Sequence, residues 1–339
     1  MSRLVLVLPD LYPTRLSEAA RAALPRLPAL EWWFRQGRAE ESAGWRQWLQ
    51  REWHGGSLAA AMPASVAGAA VAGAAVAGVS TDRPLWLATP VHFVAGLDTL
   101  RLHPAGLLHL DVAGQQELAS DFRAVFAGSG WSLHATGRRE MLVSGGAPVA
   151  LRSHDPALWL GADPAEGLPA GAGARPLRQF GAELEMWLHE HPVNQARLAR
   201  GLLNATALWL WGGGASLAPR PPVSTRAVAW ASDLFVDGLC ALGGSVADPL
   251  PPRWPLPPQV RGAPLDLLVV CESGPDAGSL AALDRDWIAP ALEQWRGGAY
   301  RSATLLAGKH AVRLERSPWR RPWRAWLRPR PWWESLLQC

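Results

Sequence analysis

From residue 176 onward the chain alternates between short apolar runs and amphipathic stretches, and this alternation restricts its possible folds more than any other feature. Apolar residues at helical spacing predict a helix from about Pro176 to His189 and a short one ending near Arg200. The run ALWLW (207–211) follows as a strand, then a helix from about Ser224 to Leu242. A strand LDLLVV (265–270), a helix through Trp287 to Trp295, and strands at SATLLAG and HAVRLER complete the series. Strands that alternate with helices favour an α/β fold with a mostly parallel sheet, since parallel neighbours need a crossover between them.

The first half adds fewer such units. LVLVL (Leu4 to Leu8) is a buried strand, and Ser42 can cap a helix carrying Trp45, Trp48, Leu49 and Trp53 on one face. PLWLATPVHF (84–93) and LLHLDV (107–112) are strands on either side of a turn, and Gln115 to Phe126 is an amphipathic helix. Between Ala59 and Val79 stands a low-complexity Ala/Gly segment with Val66, Val71 and Val76 in five-residue step. Ala and Gly drive membrane insertion weakly and Pro63 interrupts the run, so a linker or loosely packed helix is expected rather than a membrane span. Residues 1–339 are expected to form a single α/β domain that ends in a Trp/Arg-rich tail over 317–339.

Composition narrows the function classes. Apolar residues make up 49% and charged residues 18%, the balance of a folded globular chain. The 33 basic and 29 acidic residues leave a formal charge of only +4, so long-range attraction to polyanions is weak. Neither nucleic acid nor a membrane is expected as a partner. Cys240, Cys271 and Cys339 show no CxxC spacing, which excludes a disulfide framework and a thiolate zinc site. A reducing, cytoplasmic setting is expected.

The chemistry-bearing stretch is HEHPVNQARLARGLLNATALWLWGGG (189–214). Its HEH is similar to the start of a zinc-binding H-E-x-x-H helix, but the residue four after His189 is Val193, and Pro192 ends the helix. His92, His103 and His109 stand singly and are expected to be hydrogen-bonded structural residues. There is no G-x-S-x-G elbow. Cys271, just past a strand, is either a reactive group or a small buried hydrophobe. Gly212, Gly213 and Gly214 follow a buried strand, where backbone amides can cradle an anion, yet neither phosphate-loop pattern is present. Arg197 and Arg200 are either bidentate phosphate ligands or part of a solvated helix face. In the tail, Trp319, Trp323 and Trp326 are expected to pack on the body, because exposing three indoles would forfeit much apolar burial.

These residues carry a resemblance. The central stretch closely resembles the H-x-H-P-V-N … N-x-L-W-L-W-G-G-G segment of the RpfE-type bacterial regulatory proteins, a family often labelled phosphoglycerate mutase. WLATPVHF and RSPWRRPWR resemble two further elements of that family, so the likeness extends over most of the chain. The shorter HPVN…R…G…WLWG resembles a stretch of the archaeal-type cofactor-independent phosphoglycerate mutases. Those are α/β enzymes of the alkaline phosphatase superfamily that use a serine nucleophile and two divalent metals. Their first strand ends in Asp-Gly and a late strand in Asp-His; here the corresponding strands run into Pro9-Asp10-Leu11 and Cys271-Glu272-Ser273, and nothing matches the serine.

The resemblance therefore implies a degenerate alkaline phosphatase/phosphoglycerate mutase-like fold and a regulatory protein without the metal and serine site, needing no cofactor. Such a protein would sense a phosphorylated small molecule and meet a regulatory protein partner. His189, His191, Asn194, Arg197, Gly212, Gly213 and Gly214 are the ligand-binding candidates. The alternative is an active phosphoglycerate mutase-like phosphotransferase working through another site, with Asp10 and His191 as catalytic candidates.

Overall fold

The computed structural model describes residues 2–11, 18–42, 44–53, 78–79, 83–96, 99–146, 153–171, 174–212, 227–242, 245–254, 266–272, 277–316 and 330–337. The chain divides into two compact units. The first comprises Met1–Gly55, Pro222–Ala231 and Ser245–Cys339, and the second Gly56–Pro221 and Ser232–Gly244. The Ala/Gly segment, apart from Gly78 and Val79, and the tail tryptophans Trp319, Trp323 and Trp326 lie outside the described residues.

The first unit is built on a seven-stranded sheet. Its strands are β1 (Arg3–Leu8), β2 (Arg38–Glu41), β8 (Ala227–Trp230), β9 (Ala247–Asp248), β10 (Asp266–Val270), β11 (Ser302–Ala307) and β12 (His310–Glu315), in the order β2-β12-β11-β1-β10-β8-β9. β1 lies parallel to β10 (Val7 opposite Val270) and to β11 (Val5 opposite Thr304). Both faces of β1 are covered: Leu4, Leu6 and Leu8 point into the main core and Val5 and Val7 are equally buried. That is why these strands read as continuous apolar runs instead of alternating ones.

Helices α1 (Glu18–Ala22), α2 (Pro28–Gln36), α3 (Trp45–Trp53), α8 (Ala277–Leu283), α9 (Ala289–Gly297) and α10 (Trp332–Leu337) accompany this sheet. Trp33, Ile288, Leu292 and Trp332 join the strand residues in one core. A π-helical turn, Asp284–Ile288, joins α8 to α9. The Asp284 carboxylate accepts hydrogen bonds from the Leu30 (2.8 Å) and Ala29 (3.1 Å) amides and so caps α2, whose preceding residue Leu27 offers no side-chain acceptor. The far end of the tail belongs to this core as well, with Trp332 buried and its Nε1 donating to the Pro25 carbonyl.

The second unit holds a five-stranded sheet of β3 (Leu85–Ala95), β4 (Leu100–Leu107), β5 (Trp131–His134), β6 (Met141–Gly145) and β7 (Ala207–Trp211), and every pairing in it is antiparallel. Helices α4 (Val112–Val125), α5 (Ala174–His189), α6 (Pro192–Ala199) and α7 (Leu234–Leu242) belong to the same unit, with a 3-10 turn at Pro156–Trp159. One core gathers Trp86, Val143, Leu208 and Leu210 from the strands with Leu118 and Phe122 of α4 and Phe180, Leu184 and Leu188 of α5.

Three expectations change. The fold is mixed α/β, not mostly parallel. ALWLW pairs antiparallel with β3, and the two-residue turn Gly308-Lys309 between Ala307 and its partner His310 leaves β12 only an antiparallel return. Gly308 has φ 58°, the left-handed conformation such a turn requires. LLHLDV is not a strand: β4 ends at Leu107, and Asp111 instead caps α4 by accepting from the Gly114 amide at 2.8 Å. The helix expected over Ser224–Leu242 is a strand followed by a helix. Asp233 accepts from the Phe235 and Val236 amides and starts α7 after β8. No helix among the described residues is long and apolar enough to cross a membrane.

Candidate functional site

The central stretch forms a corner in the second unit, where α5 ends at His189 and α6 begins at Pro192. Proline suits the first position of a helix, where its missing N–H costs nothing, so Pro192 starts α6 as well as closing α5. His189 is exposed. His191 is the N-cap: its Nδ1 accepts from the Val193 amide at 3.2 Å. That bond places the proton of the neutral ring on Nε2, which faces Asp121 Oδ2 at 3.3 Å, at ion-pair distance but outside hydrogen-bonding geometry. Trp187 meets the ring edge-on at 4.8 Å. Burial pushes His191 below the ordinary imidazole value, against the pull of the Asp121 and Glu117 carboxylates.

Asn194 and Arg197 tie the corner together. Asn194, 1% exposed, donates through Nδ2 to the Leu188 (2.6 Å) and Ala205 (2.8 Å) carbonyls and accepts from the Ala205 amide (2.7 Å). It thereby joins the end of α5, the start of α6 and the approach to β7. Arg197, also buried, donates from Nε to the Leu203 carbonyl (2.7 Å) and from Nη1 to the His109 carbonyl (3.1 Å). Burial lowers its pKa from the ordinary value. Arg200 is exposed and bonds within its own helix.

The glycines belong to the other end of β7. Gly212 follows Trp211 with φ 66°, and its amide donates to Ser153 Oγ at 3.2 Å. Gly213 and Gly214 lie outside the described residues. The corner abuts the start of β7 and Gly212 its end; five strand residues at about 3.3 Å each separate them by roughly 17 Å. His191, Asn194 and Arg197 thus come together, and Gly212 does not join them.

Two of the isolated histidines hydrogen-bond through their rings. His92 Nδ1 donates to the Asn204 carbonyl at 2.8 Å, and His103 Nδ1 accepts from the Ala105 amide at 3.0 Å. His109 is exposed and contributes its carbonyl to Arg197.

In the first unit, the carboxyl ends of the parallel strands form a second place of interest, since strand order changes direction at β1 and ligands favour such points. Half-buried Asp10 follows β1, and Cys271 and Glu272 follow the adjacent β10; the Cys271 amide donates to the Val7 carbonyl at 2.9 Å. Cys271 is a buried hydrophobe, 1% exposed, whose thiol burial pushes far above its ordinary value. Asp10 belongs to the first unit and His191 to the second. Among the described residues no three His, Cys, Asp or Glu side chains converge as a metal set.

Asp121, the partner of His191, carries no signal in the sequence. It sits 70 residues away on α4, and no local pattern links the two. The same holds for buried Gln115, which donates to the Leu110 and Arg138 carbonyls and accepts from the Thr136 and Gly137 amides, shaping the loop that aims Arg138 at Asp237 (3.0 Å).

No family model matches the chain, and no curated protein matches it. Among the solved structures similar to it are two of archaeal proteins. One is the cofactor-independent phosphoglycerate mutase from Thermoplasma acidophilum, 16% identical with a TM-score of 0.39, over 93% of this chain and 90% of that one. The other is the PH0037 protein from Pyrococcus horikoshii, 12% identical with a TM-score of 0.40, over 93% and 87%.

Proposed function

We propose that the protein is a cytoplasmic, phosphoglycerate mutase-like regulatory protein that lacks the metal and serine chemistry and senses a phosphorylated metabolite on behalf of a protein partner. The observation that carries this reading is the carboxyl edge of β1 and β10. At the strand ends where the resembled mutases have Asp-Gly and Asp-His, this chain has Asp10 and the pair Cys271-Glu272. A buried thiol that holds its proton is a poor metal ligand, and the one pair of carboxylates among the described residues there, Asp10 and Glu272, does not supply two cations. The chemistry of Asp10, Cys271 and Glu272 supports a reading without paired metals.

Asn194 and Arg197 already use their donors on backbone carbonyls, which supports a structural part for the corner. Contact with a phosphorylated ligand is assigned to the Gly212–Gly214 stretch of the sequence, with the Gly212 amide exchanging its bond to Ser153 Oγ for the anion. The test uses the purified full chain. 3-Phosphoglycerate is expected to raise the melting temperature, with no conversion to 2-phosphoglycerate in the presence of manganese. Robust turnover that a chelator abolishes would overturn the proposal.

A further inference from the structure

His191 does two jobs that a proton sets against each other. As N-cap of α6 it must accept a hydrogen bond, and it does so through Nδ1 from the Val193 amide. As neighbour of Asp121 it presents Nε2 to a carboxylate at 3.3 Å. A neutral imidazole can do both; an imidazolium has N–H groups at both nitrogens and no acceptor left. We propose that His191 is a proton-operated latch on the α5–α6 corner: protonation turns Nδ1 from acceptor to donor, releases the Val193 amide and opens the first turn of α6.

The surroundings suit such a latch. His191 is 4% exposed and half-exposed Asp121 lies against its Nε2–H, so in acid the added proton goes to Nδ1, the one nitrogen of the neutral ring that can take it, in place of the Val193 amide hydrogen bond. The charged groups acting on the ring from α4 are Asp121 and Glu117, both of which favour the imidazolium. From α5 the ring meets Trp187, which does not titrate. On α6 the nearest charged group described around the corner is Arg197, turned towards Leu203 and His109. Opposing protonation are burial of the ring and the positive end of the α6 dipole. Burial outweighs the two carboxylates and holds the imidazole below its ordinary value, so the ring is neutral at pH 7.5 and its charging is displaced to lower pH. Asn194 and Arg197 bond to backbone carbonyls and do not titrate in this range, so the change stays within the first turn and leaves β7 attached. No bound ligand is needed.

The test is amide exchange at Val193 in the full chain, corrected for intrinsic pH dependence, at pH 7.5 and pH 5. Loss of a typical N-cap corresponds to a fall in protection of about fivefold, confined to 193–195. His191→Asn keeps an acceptor at every pH, and its Val193 protection is expected to be the same at both. Asp121→Asn removes a group that favours the imidazolium, and the midpoint of the wild-type transition is expected to move to lower pH. Equal protection at the two pH values in the wild type overturns the latch, as does an acid loss in His191→Asn that matches the wild type. If His191→Asn does not fold, the Asp121→Asn midpoint decides, and an unmoved midpoint counts against the proposal.

Discussion

Asn194 is where single-residue chemistry matters most. Its amide satisfies two carbonyls and one N–H in a site closed to water, so truncation strands all three. Asn194→Ala is expected to cost about 2–4 kcal/mol, read by chemical denaturation. A cost under about 0.5 kcal/mol would mean that water replaces the side chain. His134 gives a prediction in pH. Its Nε2 is 2.8 Å from Ser144 Oγ, and burial, then the Arg123 charge, lowers its pKa. Below the ordinary imidazole value of about 6.5 the unfolded chain binds the proton first. The stabilising contribution is therefore complete above about pH 6.5 and is lost as pH falls towards the folded-state value. His134→Gln should flatten the stability curve between about pH 5 and 7. An unchanged slope would remove His134 from the account.

At the scale of elements, the π-helical turn between α8 and α9 does the work that α2 cannot do for itself. It delivers Asp284 to the Ala29 and Leu30 amides while Trp287 and Ile288 enter the core. Burial raises the Asp284 pKa and the two amide bonds oppose that shift, so the group combines a useful acceptor with an unwelcome charge. Asp284→Ala is expected to cost about 0.5–2 kcal/mol in thermal unfolding, as for other lost caps. Asp284→Asn should cost less, because an amide oxygen still accepts and no charge is buried. The reverse ranking would show that charge, not the acceptor, stabilises α2.

Over the whole molecule, each unit has its own core, one around β1, β10 and β11 and the other around β3, β6 and α5. Leu6→Ala, at a site with no exposure, should remove about 2–5 kcal/mol from the first core. Native-state hydrogen exchange is expected to show the loss at β1 and β10 amides, with those of Met141 to Val143 in β6 retaining most of their protection. Equal losses in both would mean that the two cores open as one cooperative body.

Local periodicity makes most elements legible in the chain and little of their pairing. LVLVL and LDLLVV announce buried strands because both faces must be apolar, and the helical period marks α5 without ambiguity. AVAW merged with the apolar residues of α7 because a short buried strand and a buried helix segment share one apolar signature. In LLHLDV the pattern suited a strand, and only the capping geometry of Asp111 shows that a helix begins there. The histidine, asparagine and arginine of the corner were visible as unusual residues, but their roles were not. Those roles depend on Ala205, Leu203, His109 and Asp121, and tertiary structure alone brings such partners within about 3 Å. Strand direction was decided the same way: local sequence sets φ, ψ and burial period, while pairing and side-chain partnership arise from contacts between distant segments.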